Sequence, residues 1–225
     1  TPDMDLPKLK GIVSAPVFAP DGTLCTKPGY LPQAQVYFDA LDCLNIPSVS
    51  SNPTSQELEQ AKELILGELL GDFPFVSDSD RTHALALLLL PFVREMIDGP
   101  TPLHLIEKPT PGTGATLLAD VLLYPSLGAS VPVMTEGTHS DEWRKRLTAK
   151  LLGSPRAIFI DNLRAKLDAA QLAAAITATV WEDRLLGHSI SARIPVRCAW
   201  VASGNTPELS QEIARRSVRI RMDAK

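Results

Sequence analysis

From Thr101 onward the chain alternates short apolar runs with helix-forming stretches, and that rhythm limits the folds open to it. The apolar runs are LHLIE, VPVMTE, RAIFID, RCAWVASG and VRIRM. Between them lie TLLADVLL, DEWRKRLTAKLLG, LDAAQLAAAITATVW and ELSQEIARR, each patterned as a helix. Short strands alternating with helices predict an α/β fold with a parallel sheet and helices on both faces.

The chain before Thr101 has two other textures. Residues 1–52 are rich in proline and glycine, and GIVSAPVF, LCTKPGY and QVYF read as short strands separated by turns such as PDGT. This predicts a β-rich N-terminal segment or linker. Residues 53–100 then carry two helices. The first is NPTSQELEQAKELILGELLG, capped by Thr54 or Ser55, with Leu58, Ala61, Leu64, Ile65 and Leu69 near helical spacing. The second is DSDRTHALALLLLPFVREMIDG, capped by Ser77 or Ser79; Pro91 is expected to kink or interrupt it.

Composition narrows the partners. A net charge of −4 shows no global basic bias, which argues against a protein that coats nucleic acid nonspecifically but not against contact through a few loops. Cys25, Cys43 and Cys198 form no CxxC pair, so neither a disulfide framework nor a zinc site is indicated, and a reducing cytoplasm is the expected compartment. The apolar run ALALLLLPFV is too short to span a bilayer, and no secretory leader pattern opens the chain.

The chemistry centres on EKPTPGTGATLLAD, from Glu107 to Asp120. A glycine loop between a strand and a helix aims backbone N–H groups at phosphate oxygens, with the helix N-terminus behind them. The pattern for such a loop is G-x-x-x-x-G-K-[ST]. Pro111, Gly112, Thr113, Gly114, Thr116 and Leu117 fall in the phosphate-contacting positions, and the Thr116 hydroxyl is the expected Mg²⁺ contact. Ala115 stands where the lysine belongs, and Pro109 stands at the first glycine position. A glycine-rich turn that binds nothing is the plain alternative for the loop by itself.

Three downstream features bear on that choice. RAIFIDN ends an apolar strand on Asp161, where a carboxylate holds the metal of a bound nucleotide. CAWVASGN ends the next on Asn205, where an amide can orient water or touch a γ-phosphate; an ordinary Ser-Gly-Asn turn is the bland reading. IARRSVRI carries Arg215 and Arg216, either a solvated helix end or an arginine finger that stabilises transition-state charge in a neighbouring subunit.

The order of these features resembles the AAA+ branch of P-loop ATPases. WVASGNTPELSQEIARRSVRIRMD is similar, more specifically, to the superfamily 3-type helicase modules of phage and plasmid replication proteins. The resemblance covers most of the chain and is strongest from Leu103 to Asp223. LPKLKGIVSAPVFAPDGTLCTKPGY resembles the linker ahead of such modules, and the two helices before the loop resemble their helical collar.

The resemblance implies a five-stranded parallel core in the order 5-1-4-3-2, a ring homo-oligomer (usually a hexamer), ATP and Mg²⁺ as cofactors, and movement along single-stranded DNA. It also implies a primase domain upstream. It makes Asp161 the metal-associated carboxylate, Asn205 the sensor, and Arg216 or Arg215 the finger. It further implies a pore hairpin before the sensor strand, formed by residues from Arg184 to Arg197 with Gly187 and His188 near its tip. Arg184, His188 and Arg193 are then the DNA contacts, although His188 as a plain turn residue is nearly as good a reading.

Two positions depart from the pattern. Ala115 removes the cation on the β/γ-phosphates, and Asn162 stands where many AAA+ enzymes have a water-polarising glutamate. Glu136, at the end of the preceding strand, is a candidate substitute base. Three readings of Ala115 stay open: Lys108 at the strand end supplies the charge, the alanine is an engineered Lys→Ala change, or the chain is a naturally lysine-free binding or scaffold subunit. The function expected is an ATP-dependent DNA helicase or translocase module impaired in hydrolysis, with a non-hydrolysing nucleic-acid-binding or assembly scaffold as the alternative.

Overall fold

Five parallel strands form the centre of the computed structural model, which describes residues 6–40, 44–164, 166–184 and 190–224. Ahead of them the N-terminal residues build a small β module: β1 (Gly11–Val13), β2 (Val17–Phe18), β3 (Leu24–Cys25), β4 (Gly29–Leu31) and β5 (Val36–Phe38). β5 is central, parallel to β1 and antiparallel to β4. Its Val36 and Phe38 join Val13 and Val17 in a core of their own. The PDGT turn closes β2 on β3: Gly22 has φ +84° and its N–H donates to the Ala19 carbonyl at 2.9 Å.

α1 (Ser55–Lys62) begins in a reciprocal capping box between Thr54 and Glu57, as the sequence predicts. It runs on as a π-helical turn to Leu69, and no residue of α1 is buried. α2 (Asp78–Val93) is capped by Ser77, and Pro91 lies in its last turn, where the helix gives way to a 3₁₀ turn at Arg94–Met96. Proline there removes one late helical bond, so it shortens the helix rather than dividing it.

The core follows as β6 (Leu103–Lys108), α3 (Ala115–Leu127), β7 (Val133–Met134), α4 (Ser140–Leu152), β8 (Ala157–Leu163), α5 (Ala170–Thr177), β9 (Val180–Arg184), β10 (Ser191–Pro195), β11 (Ala199–Asn205), α6 (Gln211–Ala214) and β12 (Ser217–Arg221). In the sheet the neighbours run β12-β6-β11-β8-β7, every pair parallel. Strand side chains alternate between faces, and the two cores follow that alternation. Leu103, Leu105, Ile158, Ile160, Trp200 and Ala202 pack on the face covered by α4, α5 and α6. Ile106, Ala157, Phe159, Ala199 and Val201 pack on the opposite face, under α2 and α3. Burying such a side chain fully is worth about 1.5–3 kcal/mol, so the two apolar faces hold the sheet between its helices. α2 thus packs on the sheet itself, and its Asp80 clasps Arg221 of β12 with both carboxylate oxygens at 3.1 Å.

The sequence reading is wrong on one boundary. LDAAQLAAAITATVW is not a single helix: α5 stops at Thr177, and Val180 and Trp181 open β9. Thr177, Thr179 and Val180 are β-branched and poor helix residues. The Trp181 indole N–H instead donates to the Thr148 hydroxyl at 2.9 Å, and Asp183 bonds Thr148 and Arg144, so β9 is fastened to α4. The hairpin therefore starts earlier than Arg184, pairing Val180–Arg184 with Ser191–Pro195.

At the N-terminal ends of β8 and β11, one buried carboxylate gathers arginines. Glu95 is 3.0 Å from Arg156 and 2.8 Å from Arg197, and the buried Arg94 donates to the carbonyls of Ile97 and Gly99 at 2.9 Å. The Arg197 contact lies off the line of an N–H···O bond, so it is an ion pair without a hydrogen bond to that oxygen. Burial, then the Arg197 charge, pulls Arg94 below its usual range. Cys25 and Cys198 are buried free thiols, while Cys43 lies outside the described residues. Among the described residues no helix is long and apolar enough to cross a membrane.

Candidate functional site

The loop from Pro109 to Gly114 joins the carboxyl end of β6 to the start of α3, the usual place for a ligand in an open α/β sheet. Gly112 and Gly114 have φ +86° and +87°, a conformation that L side chains rarely adopt, and a Cβ built on either meets open space. Glycine is required there by the backbone and not by crowding. The Thr113 hydroxyl donates to the Thr110 carbonyl at 2.8 Å and closes the loop on itself. Gly114 caps α3 with no side-chain acceptor, so the first N–H groups of the helix keep their donors open.

Thr116 and Asp161 are brought together. The Thr116 hydroxyl lies 3.2 and 3.4 Å from the two Asp161 carboxylate oxygens. Strand alternation explains it: Asp161 lies two residues after Phe159 and shares its α3 face, and the strand turns irregular only beyond that point. Ala202 pairs with Ile160 but Gly204 pairs with Leu163, so Asp161 and Asn162 together stand opposite Ser203. This is a β-bulge, with Asn162 at φ +59°, which asparagine tolerates better than most residues. Without it Asn162 would turn towards the α4–α5 core. With it, Leu163 takes that place, while Asp161 keeps the α3 face that alternation from Phe159 already gives it.

Ser203 fastens the bulge. It is fully buried, its hydroxyl donates to the Asp161 carboxylate, and its oxygen accepts from the Asn162 N–H at 3.3 Å. Sequence reasoning passed over Ser203 because it weighed the strand CAWVASGN only for its end residue, Asn205. Its signal was its strand parity with Val201 and Asn205, which puts a hydroxyl on the α3 face.

The other expected residues fall into three groups. Asn205 is exposed at the end of β11 and stands abreast of Lys108, whose carbonyl accepts from Thr206 N–H at 2.9 Å. The alternation that turns Ile106 towards α3 puts Lys108 on that face as well. Pro111 and Leu117 are exposed beside the loop. Ala115 is 1% exposed and packs in the α2–α3 core with Leu118 and Ala119.

Glu136 follows β7, and its carboxylate accepts from the Arg164 N–H at 3.3 Å. It lines a cleft with His139, Trp143, Lys166, Asp168 and Gln171, so it is already engaged with the loop after β8. Arg215 and Arg216 turn back on one carboxylate, Glu212, at 2.7 and 2.5 Å. The Arg216 side chain is only 19% exposed in that arrangement. To meet a neighbouring subunit, either guanidinium must leave Glu212.

In the hairpin, Arg184 is exposed and Arg193 stands 3.6 Å from Glu182 across the two strands. Exposed pairs of this kind are worth about 0–1 kcal/mol, so Arg193 stays available to an anion. His188 and Gly187 lie outside the described residues.

The donor set fits a nucleotide with Mg²⁺. A hydroxyl and a carboxylate are hard oxygen ligands, and Mg²⁺ is usually held by one or two such groups plus phosphates and water. Among the described residues no group of three or more His, Cys, Asp or Glu side chains forms a metal centre by itself. Gly112, Gly114 and the uncapped α3 suit phosphate oxygens. No family model matches the chain, and no curated protein matches it.

Proposed function

We propose that the chain is a P-loop nucleotide-binding module of the AAA+ type, used as the helicase or translocase part of a mobile-element replication protein. The observation that carries this reading is Thr116 within 3.2 Å of Asp161, behind a loop whose Gly112 and Gly114 have positive φ. Counted along the core, the strands neighbour one another as 5-1-4-3-2, the order the sequence resemblance implies, and this supports the reading.

In it, the backbone N–H groups of residues 112–116 hold phosphate oxygens, and Thr116 and Asp161 hold Mg²⁺, which would neutralise phosphate charge when bound. Asn205 orients water at the terminal phosphate. Arg216 or Arg215 reaches a neighbour's nucleotide in a ring of identical subunits, after release from Glu212. Lys108, on the α3 face, is the nearest chemical substitute for the missing lysine. The work is cytoplasmic, on single-stranded DNA, beside a primase domain.

Ala115 favours a second reading. With a buried methyl group where the lysine belongs, the site lacks a charged hydrogen bond worth about 1.5–3 kcal/mol. A module that binds nucleotide and DNA but does not hydrolyse, acting as an assembly scaffold, fits that loss.

The DNA claim is tested through the hairpin. Arg184, Arg193 and His188 supply its cationic or polar contacts, and the protein's net charge of −4 gives no global basic bias to stand in for them. Replacing His188 and Arg193 together by alanine is expected to weaken single-stranded DNA binding about tenfold, with a shallower salt dependence. Fluorescence anisotropy of a labelled oligonucleotide reads both. Unchanged affinity removes the hairpin from the DNA path.

A further inference from the structure

We infer that Ser203 is a positioning residue for the metal ion: by bonding the Asp161 carboxylate directly, and the bulged Asn162 N–H beside it, it sets the direction in which Asp161 presents its carboxylate to Thr116. The inference rests on the nucleotide-site reading above and adds to it a residue that none of the loop, strand-end or arginine features include.

Three observations carry it. First, Ser203 has no exposed surface, so its hydroxyl does not itself touch a ligand; it acts only through what it bonds. Second, it makes two bonds of opposite sense to adjacent residues of β8, donating to the Asp161 carboxylate and accepting from the Asn162 N–H at 3.3 Å. A hydroxyl is the smallest side-chain group that does both. Third, these bonds fall where the β8–β11 pairing shifts register. At a bulge the extra residue loses its ladder partner. The Ser203 oxygen supplies that partner, and its proton occupies one Asp161 oxygen, leaving the remaining lone pairs for Thr116 and a metal.

Removing the hydroxyl has a specific consequence. Asn162 N–H loses its acceptor, and the Asp161 carboxylate is free to rotate away from Thr116. An outer partner of a metal ligand typically contributes about 10–100-fold to metal affinity. The glycine loop is untouched, since its conformation depends on Gly112, Gly114 and the Thr113–Thr110 bond. Metal-dependent and metal-independent nucleotide binding should therefore separate.

The test is binding of a fluorescent ATP analogue to the full chain, titrated with Mg²⁺ and repeated in EDTA, for the wild type, Ser203→Ala and Ser203→Thr. The expected result for Ser203→Ala is an Mg²⁺ midpoint raised about tenfold or more with binding in EDTA unchanged. Ser203→Thr keeps a hydroxyl and is expected to return the midpoint to within about threefold of wild type. If the alanine variant titrates like the wild type, or loses binding equally with and without metal, Ser203 is only a packing residue and the inference is overturned. A wild type that binds no nucleotide overturns the nucleotide-site reading and this inference with it.

Discussion

Ala115→Lys is expected to raise nucleotide hydrolysis about 10²–10³-fold, the usual effect of one transition-state donor. The geometry favours the gain. Ala115 is the first residue of α3, and helical side chains lean towards the helix N-terminus, so a lysine there projects back over the glycine loop. Thr116 and Asp161 already lie 3.2 Å apart, as the proposed metal site requires. The substitution also has a cost, because Ala115 is 1% exposed and its methyl group touches the α2–α3 core. Enlarging a packed site typically costs about 1–3 kcal/mol, so the variant should melt earlier while turning over faster. Phosphate release with and without single-stranded DNA measures the rate. If the lysine variant shows no hydrolysis even with DNA, the motor reading fails and the scaffold reading stands.

The second large effect is on stability. Glu95→Ala is expected to destabilise the fold by about 3–5 kcal/mol, because it leaves Arg156 and Arg197, whose side chains are only 12% and 23% exposed, without their carboxylate. Arg156 and Arg197 pair with Glu95 at 3.0 and 2.8 Å, and Arg94 sits beside them, 3% exposed. Their other partners are neutral carbonyls, which solvate a guanidinium but do not cancel its charge. A chain of this size loses about 2–4 °C in Tm per kcal/mol, so a fall of roughly 10 °C is expected in a thermal melt. The network lies at the opposite end of the strands from the glycine loop, so nucleotide affinity at low temperature should not change. A loss below about 1 kcal/mol would mean that the carbonyls carry the arginines without help from Glu95.

What the sequence revealed follows from how local each feature is. The strands were legible because β8 and β11 are apolar for most of their length and β6 opens on the run LHLI, as strands buried on both faces require. The Thr54–Glu57 cap and the glycine loop were legible because each is written in a few consecutive residues. The end of α5 was not, because an alanine-rich run masks the point where Trp181 leaves for Thr148, a partner on another helix. The β8 bulge was not legible either: it exists only in the pairing of two strands, and only that pairing makes Ser203, within an apolar strand, the clasp on Asp161. The Glu95 network joins residues from three distant parts of the chain, and no single stretch announces it. In the same way, the mutual hold of Arg215 and Arg216 on Glu212 is helix-local but silent about which neighbour could release them.

The central claim is that Thr116, Asp161 and the glycine loop hold a nucleotide with its metal. The most direct measurement is Mg²⁺-dependent binding of an ATP analogue to the chain and to Asp161→Ala. The account predicts saturable binding to the unchanged chain, strengthened by Mg²⁺, and loss of that strengthening in Asp161→Ala with the metal-free affinity preserved. Absence of binding to the unchanged chain, or the same Mg²⁺ dependence in both proteins, would contradict it.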